Sequence, residues 1–369
     1  MKYKLFFVFV LIILLTIASA NAQPALFNQY QSNTLYNNPA FTGISEQPSF
    51  TAYFGQHIIE KDVYNPYFGF YPSGAEYSGY NSAISYQQYW DKIKGSFGIN
   101  VTSMYYHFED FNHINTEGIN LSYSPTIKIT NNLYFKPAIE VGYYFEKYTS
   151  PYTNNTYQGI DTFIIFKDTI HEKIYKYSEP MHNYFNNYFN FNSGILFYSA
   201  NFHIGFSINH INRPQSYAFT DPQNTNPNTP LELLGVFYQS KAIVPYSFTF
   251  NLGFNINSND SAKTLTISPH LYIEDDYYWG YSLIGSNFKY KKILLGLDLC
   301  EYDWENVGLL TTLGYQFKHL KISYSYTYDL TYVNISNVGS IRNSLNSIQL
   351  IYSLPKKEHS TPPVYTSIY

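Results

Sequence analysis

Large apolar and small polar residues alternate over long stretches of the chain. Tyr246, Phe248, Phe250, Leu252, Phe254 and Ile256 are separated by Ser247, Thr249, Asn251, Gly253 and Asn255. Leu320, Ile322, Tyr324, Tyr326, Tyr328 and Leu330 repeat the pattern against Lys321, Ser323, Ser325, Thr327 and Asp329. Ile348, Leu350, Tyr352 and Leu354 do so again against Ser347, Gln349 and Ser353. Successive side chains of a β-strand point to opposite faces, so each segment has one apolar and one polar face. A soluble sandwich would bury the apolar face against a second sheet, whereas a membrane barrel turns it to lipid. Length separates the two. These runs hold roughly ten to thirteen residues; soluble strands cluster near five or six, and a tilted membrane strand needs about nine to eleven. The expected fold class is all-β, a transmembrane antiparallel β-barrel of about 14 strands and of the outer-membrane type.

The strands are expected near 48–57, 79–90, 95–106, 116–129, 133–146, 191–198, 201–211, 245–257, 263–274, 277–288, 291–301, 305–317, 319–330 and 344–354. Every second connection is then short: Asp91–Lys94, Thr130–Asn132, Ser199–Ala200, Ser258–Ala262, Lys289–Tyr290 and Lys318. The long ones, 58–78, 147–190 and 212–244, all fall on the other parity. Outer-membrane barrels have short periplasmic turns and longer outer loops, so both ends of the chain are expected in the periplasm. Gly98, Gly142, Gly205, Gly253, Gly280, Gly296 and Gly314 fall inside strands, where they permit bending and close packing. Pro125, Pro137 and Pro269 also fall inside strands, which predicts bulges or broken hydrogen bonding. An Arg on the lipid side of Tyr324, Phe250 or Leu350 is expected to be far more damaging than one at Ser325 or Asn251.

The start of the chain changes the compartment. Lys2 and Lys4 precede an apolar run from Leu5 to Ile17, followed by Ala18-Ser19-Ala20 and Ala20-Asn21-Ala22. This is the layout of a secretory signal peptide over 1–22, with cleavage expected after Ala22. Beyond it no apolar run is long enough for a membrane helix. The expected organisation is the barrel over 23–354, opened by a periplasmic segment at 23–47, and a periplasmic tail at 355–369. Charged residues are only 13% of the chain and aromatic residues 20%, with 42 Tyr and 29 Phe. That is low charge for a soluble protein and suits the aromatic girdles of a membrane barrel. The net charge of −4 comes with no basic stripe, which disfavours nucleic acid as a partner. The lone Cys300 excludes an internal disulfide.

Catalytic chemistry is not expected, nor is a cofactor. His203 and His210 fall on opposite strand faces and so cannot chelate one metal as a pair. Ser207, Asn209 and His210 invite comparison with a lipase, but the hairpin they belong to explains them better. Asp275-Asp276 and Asn257–Asp260 suit turns better than a hard cation. Cys300 falls on the face opposite Leu295, Leu297 and Leu299, hence in the lumen, as a small filler.

Two motifs carry a resemblance. Phe27-Asn28-Gln29-Tyr30 and then Asn38-Pro39-Ala40-Phe41-Thr42-Gly43 are similar to the opening of the PorP/SprF family. Gly205-Phe206-Ser207, His210 and Pro214 resemble that family's central Gly-x-Ser-x-x-His-x-x-x-Pro hairpin. Gly55-Gln56-His57 stands where the family usually has an Arg-Gln-Trp-like cluster. The resemblance implies an outer-membrane component of the type IX secretion and gliding machinery of Bacteroidota. It implies help in exporting or anchoring cargo, such as an adhesin with a type B C-terminal domain. The partners implied are outer-membrane lipid, the secretion machinery, that cargo and a periplasmic peptidoglycan-binding lipoprotein. The alternative is a general porin or diffusion channel; a TonB-dependent transporter would need a plug domain before the barrel, for which 23–47 is too short. Asn38, Pro39, Ala40 and Phe41 are the expected partner-docking residues, on a segment folded against the periplasmic mouth or lumen.

Overall fold

Alternation along single strands becomes, in three dimensions, a sheet with no free edge. A computed structural model describes residues 34–45, 47–61, 75–108, 112–150, 182–216, 242–258, 265–276, 280–302, 306–330 and 341–354. The expected signal peptide, residues 23–33, the tail 355–369 and most of the long connections lie outside the described residues. The spanning strands are β1 Ser49–Lys61, β2 Ala75–Trp90, β3 Gly95–Phe108, β4 Asn112–Pro125, β5 Tyr134–Ser150, β6 His182–Tyr198 and β7 Phe202–Asn209. They continue as β8 Ser247–Phe254, β9 Leu265–Asp276, β10 Gly280–Tyr290, β11 Ile293–Tyr302, β12 Asn306–Gln316, β13 Leu320–Asp329 and β14 Ile341–Ser353. Each pairs antiparallel with its neighbours in sequence, and β1 pairs with β14, Ser49 opposite Ser353. The barrel is closed, as a membrane requires, because an unpaired strand edge in hydrocarbon would leave its backbone groups without partners.

The faces sort as the alternation predicts. Ile84, Ile139, Leu313, Tyr324, Ile348 and Leu350 lie on the exposed outer surface, while Thr51, Asn100, Asn120, Ser122, Thr249, Ser325 and Gln349 are buried inside. Aromatic rings gather in two belts on the outer wall. Near the short turns Phe50 meets Tyr86 at 4.6 Å between centroids, Phe97 meets Tyr123 at 5.1 Å and Phe135 stacks on Phe197 at 4.7 Å. Towards the other end Phe54 stacks on Tyr80 at 6.0 Å and Tyr143 lies 4.9 Å from Phe189. Along β2, Trp90 and Tyr80 are ten residues apart. At about 3.3 Å per residue and a tilt of about 40° that is roughly 25 Å of height, the thickness of an outer-membrane barrel's apolar band.

Four details depart from expectation. β6 begins at His182, nine residues before the expected start at 191, and pairs with β5 out to Ser150. Its first half, 183–190, sets Asn and aromatic residues on both faces, so the residue types hide a strand whose exposure still alternates. The turn expected at Lys289–Tyr290 is at Lys291–Lys292, with Tyr290 opposite Ile293. The prolines break the ladder, as one of the two expected outcomes, but no bulge accompanies the break. At Pro125 and Pro137, which the register places opposite one another, the β4–β5 ladder stops and resumes at Ile127–Phe135 without a shift. Ser124 bridges the gap by donating to the Pro137 carbonyl at 3.0 Å. At Pro269 the pairing with β10 continues, while the ladder on the β8 side stops at Gly253–His270 and resumes at Ile256–Ile267, again without a shift. Finally, the inner face is packed: Ser325 is fully buried and Asn251 nearly so. An Arg at either site would have no room, so the mild effect expected there is withdrawn.

On the lipid face the expectation stands. Tyr324→Arg or Leu313→Arg should cost about 2–4 kcal/mol, read by urea unfolding in vesicles. A loss near zero would mean that this surface does not meet hydrocarbon.

Candidate functional site: a plug held by two motifs

The first described residues do not hang below the barrel; they fill its lumen. A short turn of helix, α1 at Thr34–Asn37, leads into a 3-10 turn at Pro39–Phe41. Asn38 caps that turn, its side-chain Oδ1 accepting the Ala40 N–H at 2.9 Å, and Pro39 supplies the fixed φ favoured at a first helical position. The Thr42 hydroxyl closes the turn by donating to the Pro39 carbonyl at 2.7 Å. Gly43 follows with φ +60, a conformation open to glycine at little cost, and a Cβ there would collide with Ser96. Asn38-Pro39-Ala40-Phe41-x-Gly thus encodes a compact knot that can lie against a wall.

Polar contacts fix the knot to the barrel. Asn38 Nδ2 donates to the Phe206 carbonyl at 3.3 Å, across 168 residues of sequence. The Asn37 carbonyl accepts from Ser207 Oγ at 2.8 Å and Thr249 Oγ1 at 3.2 Å. Thr42 meets Ser122 at 2.8 Å, and the Gly43 N–H donates to Gln87 Oε1 at 2.7 Å. Each such bond is worth about 1 kcal/mol net. Phe41 supplies the apolar anchor: it packs with Ala40, Tyr134, Ala138, Leu196 and Tyr198 and meets the His203 ring edge-on at 5.4 Å. Burial, with Tyr144 and Glu274 nearby, holds the Tyr36 phenol well above its usual pKa, so it stays a neutral donor.

Glycines make the room. A Cβ on Gly194 would strike the Asn38 amide oxygen; one on Gly205 would come within 3.0 Å of Asn38 Nδ2 and one on Gly98 within 3.0 Å of Thr42. The strand glycines therefore act here by close approach of the plug. Asn38 from the opening motif and Gly205, Phe206 and Ser207 from the central motif, read separately in the sequence, form one contact. The rest of the central motif turns the chain at the far end of β7. His210 has φ +59 and Arg213 φ +46. The His210 N–H donates to Asn192 Oδ1 at 3.0 Å and its Nδ1 lies 3.0 Å from Asn190 Oδ1. His210 was expected opposite His203; the turn swings it back towards lumenal Asn190 and Asn192.

The other side of the lumen is filled by the wall itself. Tyr272, Tyr281, Leu283, Cys300, Leu310 and Leu345 form a second core. His270 Nε2 lies 2.8 Å from Asp298 Oδ1. Lys136, fully buried, donates to Ser96 and Thr126 at 3.2 Å each. No group of three or more metal-ligating side chains occurs among the described residues. Asn38, Pro39, Ala40 and Phe41 are buried against the inner wall, so they fold into the lumen and turn no side chain outward. Sequence reasoning missed Leu35, Asn37, Ser122, Gln87 and Thr249, because contacts across 44, 80 and 212 residues leave no periodic trace in one chain.

A double-mutant cycle tests the contact at the centre of this site. Gly194→Val should destabilise by about 1–3 kcal/mol through overpacking, and Asn38→Ala should relieve much of that loss when the two are combined. Strict additivity would show that the two positions do not touch.

A comparison with curated proteins finds no match. Among solved structures the chain is similar to a Pseudomonas aeruginosa FadL homologue, at 12% identity and a TM-score of 0.49, over 91% of this chain and 98% of that one. It is similar also to the Ralstonia pickettii toluene transporter TbuX, at 9% identity and a TM-score of 0.49, over 92% and 96%. Likeness this distant says nothing of substrate. The family model described as "Type IX secretion system membrane protein PorP/SprF" matches residues 19–345. It spans the first thirteen strands, the start of β14 and both motifs of the plug contact. The chain belongs to the PorP/SprF family of outer-membrane β-barrel proteins.

Proposed function

We propose that this barrel is a non-enzymatic, plugged scaffold of the type IX secretion and gliding machinery that helps to export or anchor particular cargo at the cell surface. The cargo class suggested by the family is an adhesin-like protein with a type B C-terminal domain, and a periplasmic peptidoglycan-binding lipoprotein is a further partner. The observation that supports a scaffold over a diffusion channel is the filled lumen. Phe41 and Asn38 occupy the half near the short turns, and the Tyr272–Leu310 core occupies the far half. A general porin keeps a water-filled channel.

Asn38, Pro39, Ala40 and Phe41 serve docking indirectly in this proposal. Buried as they are, they fix the chain that leads to the short-turn mouth, where a periplasmic component would meet it. Replacing Asn38–Phe41 with Gly and Ser in cells should leave barrel insertion near normal while cargo display falls. Insertion is followed by heat-modifiable gel mobility and display by surface labelling. Unchanged display with an inserted barrel would contradict the proposal; failed insertion would show that the four residues serve the fold alone.

A further inference from the structure

Charge is divided unevenly between the two ends of the barrel. The short turns carry Lys92, Lys94, Lys128, Lys291, Lys292 and Lys318, all exposed. Against them stands Asp91, the single acidic residue at that end among the described residues. At the other end, among the residues whose side chains are described, Asp275 and Glu301 are balanced by Lys147 and Arg213. A chain whose overall charge is only −4 is thus strongly basic at one mouth. None of the six lysines forms a salt bridge among the described residues.

Two of these lysines occupy positions that favour other residues. Lys94 has φ +47 and Lys291 φ +54, both in the left-handed region. Tight turns at such angles ordinarily take Gly, Asn or Asp, whose side chains tolerate them. Lysine there costs backbone strain and brings a charge, which at Lys291 also lies 5.2 Å over the Tyr290 ring. Lys291 is the first residue of a two-residue hairpin, with Tyr290 opposite Ile293. The charge also continues inward: Lys289 and Lys321 are partly buried on the lumenal faces of β10 and β13, at the same end.

We infer that the short-turn mouth is a docking surface for an acidic face of a periplasmic protein, held end-on over the barrel. The lysines sit on the β2–β3, β10–β11 and β12–β13 turns and beside the β4–β5 turn, so they ring both sides of the mouth. A partner spanning the mouth meets all of them at once. Anionic phospholipid head groups lie outside the wall and cannot reach Lys289 or Lys321, which favours a protein face over lipid. Charge of one sign on a rim raises the rate and selectivity of encounter with an opposite surface. This inference rests on the proposal that the short-turn end faces the periplasm and meets other components there.

The test uses the purified full-length barrel in nanodiscs of pure phosphatidylcholine and in nanodiscs containing phosphatidylglycerol. The probe is fluorescently labelled poly-L-glutamate. Binding is expected in both lipids and should weaken steeply as salt is raised. Changing the six lysines together to Gln should weaken it at least about tenfold, and changing them to Arg should retain it. Circular dichroism and heat-modifiable mobility confirm that each variant is folded. No binding, or binding that survives the Gln changes, would overturn the inference. Binding in phosphatidylcholine that vanishes in phosphatidylglycerol would assign the lysines to lipid head groups and overturn it equally. Because the assay involves no cargo, its failure is distinguishable from failure of the secretion role.

Discussion

A sheet of fourteen strands closes around more space than its own side chains occupy. About eight strands enclose an interior that wall side chains can just fill, and the diameter grows with strand number. In this protein the excess is taken up from within. Residues 34–45 fold into the short-turn half of the lumen, and Tyr272, Tyr281, Leu283, Cys300, Leu310 and Leu345 close the far half from the opposite wall. The polar inner face follows from this arrangement. Ser122, Ser207, Thr249 and Gln87 are short or flexible hydrogen-bonding groups that fix a plug without the desolvation cost of buried ion pairs. Gly98, Gly194 and Gly205 let its backbone come close.

The wall was legible in the sequence because one physical rule generates it: each strand needs a face for lipid and a face for the interior. Segments that obey that rule with distinct residue types, such as Ser247–Phe254 and Leu320–Asp329, stood out. His182–Asn190 did not, because Asn and aromatic residues stand on both faces beyond the aromatic belt, where neither face is hydrocarbon. The prolines break the ladder as expected, but without a bulge. Pro125 and Pro137 each remove a ladder donor, but lying opposite one another they share a single gap, and a gap needs no extra residue.

The site was legible only in fragments. Asn38-Pro39-Ala40-Phe41 reads as a turn, and Gly205-x-Ser207 as a strand with a missing side chain. That the missing side chain leaves a seat for the Asn38 amide depends on β7 lying beside β6, which no local pattern specifies. The expectation that Asn38–Phe41 folds against the mouth or lumen left open which groups it meets; the capped 3-10 turn directs its side chains into the wall. The lysines of the turns, exposed at the short-turn mouth, belong to no motif and are read as a cluster of charge only once the strands are placed in a barrel.

Whether the plug rests where Thr42 meets Ser122 is the claim on which the filled lumen, the glycine seats and the scaffold role all depend. A Thr42→Cys, Ser122→Cys pair would place two thiols where the hydroxyls now lie 2.8 Å apart, and the one native cysteine, Cys300, is buried and will not compete. Mild oxidation of the membrane-embedded protein should give near-complete cross-linking, seen as a mobility shift that reductant reverses, whereas either single cysteine should give none. A folded, inserted double variant that fails to cross-link would place the segment outside the lumen and contradict the account.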